Sequence, residues 1–420
     1  VGSNIRVDTY GWEVKRILPI TNEDINEEWI SDKTRYACDG LKSQRLDTPY
    51  LREADSFKKI SWKKAYEKII EKINNTMPEK IAGFTGDLTN METLFIAKEF
   101  FEKTIKSKYL ESRIENVYVN NSNRSNYIFN SQINGIEESD LILLIGANPR
   151  LEATILNARI RKSFIKNKTK IFSVGDLMDQ TYPIVRLGNN TSIIKDICEE
   201  KHELSKIISN AKKPIIIIGQ SVLKQKSGEY IFESVKKFLH EKKKITDHWN
   251  ALNVLSNNAS TVGSLDLNIL ASEGNSNIVL DKLNENKFDI VFLFGQDNLN
   301  FKKKNEFIVY LGSHGDKGAE IADLILPGAA YTEQDGHYIN LEGKVQKSYR
   351  ASYPPGDAKE DFEIINNLSE LIKRKKLFNN KNELVDSFFN YLKLQNKKVE
   401  NTIIQNISFI DEKIIIDETD

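Results

Sequence analysis

The chain has 420 residues, with 60 basic side chains against 60 acidic ones and 40% hydrophobic residues. Such a length suits two or three domains with sizeable cores, and the even charge leaves no net field that would favour nucleic acid or an anionic membrane surface. The longest apolar runs, at 140–147 and 214–219, fall well short of the roughly 18 residues a membrane-spanning helix requires, so direct membrane insertion is not expected.

In chain order, residues 4–18 alternate apolar and polar positions on either side of Thr9-Tyr10-Gly11, the pattern of a β-hairpin. A helix is expected from Ser61 as cap, since Trp62, Ala65, Tyr66, Ile69, Ile70 and Ile73 recur at the helical period and Pro78 lies just beyond. Strand and helix signals then alternate. Residues 81–86 read as a buried strand ending in glycine, and Thr89-Asn90-Met91-Glu92 as a capping box opening a helix that carries Leu94, Phe95 and Phe101. Strands follow at 140–150 and 170–176, separated by a helix through Ala158 and Ile165; another runs over 214–219 before a helix near 230–239, and two more over 289–298 and 307–316. This alternation predicts parallel strands covered by helices on both faces. The run 140–148 echoes 289–297, which suggests two similar doubly wound halves. Beyond residue 359 the pattern is helical, with Phe362, Ile365, Leu368 and Leu371 and then Leu384, Phe388 and Leu392, and the acidic residues 417–420 are expected to fray.

Chemistry-bearing residues are sparse. Only Cys38 and Cys198 are present, whereas an iron–sulfur cluster needs about four grouped thiolates, so none can be built from this chain alone. Two distant cysteines give no disulfide framework, as in a reducing compartment, and no signal peptide is visible. No two of the histidines have HxH or HxxxH spacing. His240 is expected to be solvated, and His314 and His337, in glycine-rich turns, to bond to backbone rather than to a metal. Glu333 and Asp335 are expected to cap or salt-bridge the turn after Pro327. The glycines at Gly83, Gly86, Gly146, Gly219 and Gly295 end strands and are able to aim backbone N–H groups at a phosphate, yet any α/β fold needs glycine there. No GxGxxG follows a strand, and neither a P-loop nor a GxSxG occurs.

The run ADLILPGAAYTEQDGHYINLEGKVQ at 322–346 joins an apolar strand, a Pro-Gly turn, an acidic helical turn and a second extended run. It resembles the signature of the molybdopterin oxidoreductase superfamily. Together with VGSNIRVDTYGWEVKRILP at 1–19 and INEEWISDKTRYACDGLKSQRL at 25–46, it is similar to the large iron-sulfur subunits of respiratory NADH-quinone oxidoreductase, complex I. The resemblance implies two doubly wound parallel-sheet domains with a small amino-terminal β-hairpin region. Residues 1–52 would end a 4Fe-4S-type domain without its cluster cysteines, 53–357 would form the molybdopterin-oxidoreductase-like domains, and 358–420 a helical tail. It also implies that the chain is a fragment, and that 2Fe-2S and 4Fe-4S clusters lie upstream in the complete subunit.

In molybdenum-containing relatives the strand-end loops hold a pterin dinucleotide. The matching positions are Gly146, Asn148, Pro149 and Glu152, and Gly312 to Asp316. Residues 117–131, where such enzymes offer the metal a side chain, hold no cysteine, and Ser122, Ser125 and Ser131 sit among asparagines. The expected role is structural, among other peripheral-arm subunits on the cytoplasmic or mitochondrial-matrix side of the respiratory membrane. The alternatives are a degenerate molybdopterin-dependent oxidoreductase and a module binding a ligand in the old pterin cleft.

Overall fold

The computed structural model of the chain describes residues 1–177, 179–272, 274–395 and 407–416. The acidic end at 417–420 lies outside them. Runs of Leu, Ile, Val and Phe that are buried at every position form β7 (Leu141–Ile145), β10 (Pro214–Gly219) and β12 (Ile290–Phe294). That composition is what a parallel strand covered on both faces requires.

β7 and β10 lie at the centre of a five-stranded parallel sheet, completed by β8 (Lys170–Val174), β9 (Val185–Gly188) and β11 (Leu252–Leu255) in the order β11-β10-β7-β8-β9. β12 belongs to a larger sheet with β3 (Tyr50–Glu53), β4 (Ser56–Lys59), β5 (Ile81–Thr85), β6 (Leu110–Glu111), β13 (Phe307–Gly312) and β14 (Leu324–Pro327). Its order is β4-β3-β14-β13-β12-β5-β6, and β3 alone runs against the others, pairing antiparallel with both β14 and β4.

The five parallel strands β6-β5-β12-β13-β14 repeat the order β11-β10-β7-β8-β9, with β12 in the place of β7. The echo between 140–148 and 289–297 is therefore a true structural equivalence. The two units are nested rather than consecutive, because the whole smaller sheet is inserted between β6 and β12. Two further pairs, β1 (Ile5–Tyr10) with β2 (Glu13–Pro19) and β15 (Gly336–Ile339) with β16 (Val345–Ser348), are antiparallel hairpins.

Two local expectations are corrected. Asn90, not Thr89, caps the Met91–Glu99 helix by accepting from Thr93 N. Thr89 Oγ1 instead accepts from Gly86 N and donates to Phe294 O. The residues after 357 do not stand apart either: Ile364, Ile365, Leu368, Leu384 and Phe388 join the core of the larger sheet, and Ile414 and Ile416 that of the smaller. The apolar side of the first hairpin is covered within the chain, with Val14 and Ile17 packing on Ile30 and Cys38.

This packing of the hairpin sets a test. Ile17→Asp is expected to unfold this small amino-terminal cluster while both sheets stay intact. Leu326→Asp, in a strand buried on both faces, is expected to destabilise the larger sheet by several kcal/mol, at least about 3. Amide exchange resolved by segment separates the two, and loss of protection across both sheets in the Ile17 variant would contradict this division.

Candidate functional site

In open α/β sheets ligands bind beyond the carboxyl ends of the strands, where the chain leaves neighbouring strands in opposite directions. Here those points lie between β7 and β10 and between β12 and β5. Both are built alike. Gly146 and Gly295 end the central strands with φ of +56° and +62°. An added Cβ would stand 2.0 Å from Gly146 O at Gly219, and 1.7 Å from Gly295 O at Gly86. Glycine at these joints lets two backbones touch, which explains them without a phosphate.

At the smaller sheet, the loop after β7 folds back on itself. Asn148 N–H donates to Glu152 Oε2 (2.5 Å), and Asn148 Oδ1 accepts from Gln180 Nε2 (2.9 Å). Gly146, Asn148 and Glu152 thus share one crevice. At the larger sheet, Asp297 accepts from Tyr310 Oη (3.2 Å) and from Gly318 N (3.0 Å). Gly312 and Gly318 leave room for the Tyr310 ring, since a Cβ on either would collide with it. Asp316 caps the short Lys317–Ile321 helix. Gly312 and Asp316 therefore belong to the second crevice, and their observed contacts are structural.

The loop after β11 joins the two. Asn257 Nδ2 donates to Glu152 Oε1 (3.3 Å), and Asn258 Nδ2 to Asp87 Oδ1 (2.8 Å). Asp87 also accepts from Asn298 Nδ2 (2.7 Å). Burial pushes the carboxyls of Asp87 and Asp297 above the usual carboxylate range, although each accepts hydrogen bonds that pull the other way. Asp316 and Asp87 reinforce the upward shift of Asp297 through like charge.

Behind the second crevice lies a buried polar cluster that local sequence does not reveal. Glu92, read from the sequence as half of a capping box, is buried and accepts from His337 N (2.8 Å), with His337 Nδ1 2.7 Å from its other oxygen. His337 therefore stands on β15 beside a carboxylate, not in a turn bonded to backbone. The half-buried Asp361 accepts from Thr93 Oγ1 (3.1 Å), and desolvation raises its carboxyl to about 7. His314 lies apart from His337, its ring nitrogens beside Ser313 Oγ and Gly40 O; burial, then the Arg45 charge, lower its pKa. Glu333 is salt-bridged by Arg45, and Asp335 accepts from Arg350 N. A buried partner 245 positions away, as for Glu92, leaves no local trace in a sequence.

Two nested doubly wound sheets with matched strand-end crevices define the molybdopterin oxidoreductase class of fold, and the comparisons agree. The molybdopterin oxidoreductase family matches residues 45–371, and the chain belongs to it. A 4Fe-4S domain described as NADH-ubiquinone oxidoreductase NDSU1/NuoG-like matches residues 1–39. The chain is 43% identical over 391 residues to the NADH-ubiquinone oxidoreductase 75 kDa subunit of Reclinomonas americana, covering 89% of this chain and 56% of that protein. It is 42% identical to the corresponding NADH-quinone oxidoreductase subunit of Rickettsia bellii, covering 91% and 55%. The chain thus spans about half the length of the curated relatives it matches. Among solved structures, the acetylene hydratase of Pelobacter acetylenicus shares the fold with a TM-score of 0.58 at 13% identity, covering 91% of this chain and 69% of that one.

The groups these families imply do not fit the residues present. Residues 1–39 offer one thiol, Cys38, which is packed with Val14, Ile17 and Ile30, against the roughly four thiolates a cluster takes. An anionic pterin dinucleotide would meet Glu152, Asp87, Asp297 and Asp316 in the crevices. Among the described residues no group of three or more His, Cys, Asp or Glu is placed to hold a metal, and no helix is long and apolar enough to cross a membrane.

Proposed function

We propose that this chain is a structural region of a peripheral-arm subunit of NADH-quinone oxidoreductase, holding in place an electron relay whose iron–sulfur clusters are ligated by residues outside it. In this reading it works among the other peripheral-arm subunits on the cytoplasmic or matrix side of the membrane. The similarity to the Reclinomonas and Rickettsia relatives supports the assignment, and one geometric observation carries it. All the strongly exposed tryptophans and tyrosines among the described residues lie either within residues 1–40 or at 349–353: Tyr10, Trp12, Trp29, Tyr36, Tyr349 and Tyr353.

Those two segments meet. Trp12 packs edge-on against Tyr353 with ring centroids 4.6 Å apart, and the Arg350 guanidinium stands 4.5 Å from the centre of the same ring. Aromatic side chains with arginine are what interface centres are made of. The NuoG-like match falls on the same end of the chain. The docking face is therefore this aromatic rim and not the apolar side of the hairpin, which is already covered.

Trp12→Ala combined with Arg350→Ala is expected to cut incorporation into the assembled complex by at least about tenfold, the loss of one interface anchor, while the melting temperature of the isolated chain stays unchanged. The purified chain alone is expected to be colourless and unable to oxidise NADH. Undiminished assembly of the double variant would refute the docking face. Stoichiometric iron or molybdenum in the purified chain would refute the structural role and favour the degenerate-enzyme alternative.

A further inference from the structure

Residues 407–416 return from the larger sheet to cross the strand ends of the smaller one. The chain there is bonded along its length to two loops. Thr191 N donates to Glu412 O (2.9 Å), and Ile414 N to Asn189 O (2.7 Å). Ile410 N donates to Ser227 Oγ (2.9 Å), and Gln225 Nε2 to Lys413 O (2.7 Å). Glu412 N donates to Thr191 Oγ1 (2.9 Å). Asn190, the cap residue of the Thr191–Cys198 helix, makes no capping bond of its own; Asp411 Oδ1 takes that role from outside by accepting from Ser192 N (3.0 Å). Phe409 packs against Tyr230 with centroids 4.9 Å apart and the rings tilted by 54°.

The side chains face the crevice. Ile414 and Ile416 are buried while Ile415, between them, is 70% exposed, so the alternate residues of an extended segment point inward. Ile414 Cγ2 lies 3.1 Å from where a Cβ would stand on Gly146, and Ile416 Cδ1 lies 3.1 Å from the same position on Gly175. These glycines end β7 and follow β8, the strands whose carboxyl ends would cradle a ligand. Aliphatic side chains from the chain itself thus fill the notch, and a carboxylate from the chain itself sits at the adjacent helix end.

We infer that residues 409–416 are a strap that acts as the built-in occupant of this crevice, closing the strand ends of the smaller sheet to any dissociable ligand. The strap's hydrogen bonds go to loops and helix starts, and it adds Ile414 and Ile416 to the core at the glycines that follow β7 and β8. Weakening it should therefore open the crevice without melting the sheet.

The test uses the whole chain with Ile414→Ser and Ile416→Ser together, and separately with Asp411→Lys. Hydrogen exchange at the Thr191 and Ser192 amides, which donate to the strap, is expected to quicken at least about tenfold in the double variant and at Ser192 in the Asp411 variant. The amides of β7 and β10 are expected to keep their protection. The apolar anion 8-anilinonaphthalene-1-sulfonate is expected to bind the double variant and not the parent. Unchanged exchange at Thr191 and Ser192 would overturn the inference, as would equal dye binding by the parent. Loss of protection throughout β7 and β10 would also overturn it, showing the segment to be an inseparable part of the core.

Discussion

Replacing Arg45 by methionine is expected to lower the stability of the chain by about 3–5 kcal/mol, the cost of stranding a buried charge. Both nitrogens of its guanidinium fork meet the Glu333 carboxylate at 2.5 Å, and the two side chains are only 12% and 4% exposed. The same guanidinium also donates to Leu41 O and Ser313 O, so it joins the segment after the first hairpin to the loops that follow β13 and β14. Without it, the Glu333 carboxylate keeps, among the described residues, only the N–H of Ala330. Glu333→Gln retains an acceptor for that bond and removes the charge. The double variant Arg45→Met/Glu333→Gln is therefore expected to recover more than about 1.5 kcal/mol of the loss, measured by urea denaturation in a double-mutant cycle. A single-variant cost below about 1 kcal/mol would mean that the pair is screened as a surface bridge is.

Gly86→Ala and Gly219→Ala are expected to be damaging to a similar degree, at about 3 kcal/mol or more each, because the added methyl would penetrate backbone that has nowhere to go. The colliding atoms are carbonyl oxygens of the paired strands, Gly295 O at 1.7 Å and Gly146 O at 2.0 Å. Gly40→Ala serves as the control. Nothing lies within 4 Å of its Cβ position, so it should change stability by less than about 0.5 kcal/mol. Thermal unfolding of the three variants decides the matter. A tolerated alanine at one joint and not the other would break the equivalence of the two sheets.

The alternation of buried strands and helices was legible in the sequence because each apolar run, such as residues 141–145 and 290–294, carries its environment in its own composition. The echo between them was legible for the same reason. Nesting was not, since nothing local in residues 81–85 says that their partner strand begins at Ile290. Of the candidate positions, Gly146, Asn148 and Glu152 proved to be neighbours within one loop, which sequence proximity already suggested. Gly312 and Asp316 fell into the equivalent place in the other sheet. The distant partners of two carboxylates, His337 for Glu92 and Arg45 for Glu333, were invisible. A carboxylate reads as a solvated charge or a helix cap until its distant partner is known, and Glu92 was misread in that way.

The insertion of one sheet within the other also imposes an order on synthesis. Lys80 and Asp289, which flank the pairing of β5 with β12, are 209 positions apart. During translation β5 and β6 leave the ribosome long before the strands that complete their sheet, and their apolar faces must wait while the smaller sheet forms from contiguous chain. The inserted unit is then the earlier to mature, and its completion brings the two halves of the outer sheet together. A nascent chain stalled before residue 290 would hold the smaller sheet beside four strands of the larger one, β3 to β6, still without β12, β13 and β14, and chaperones would be needed most at that point of elongation.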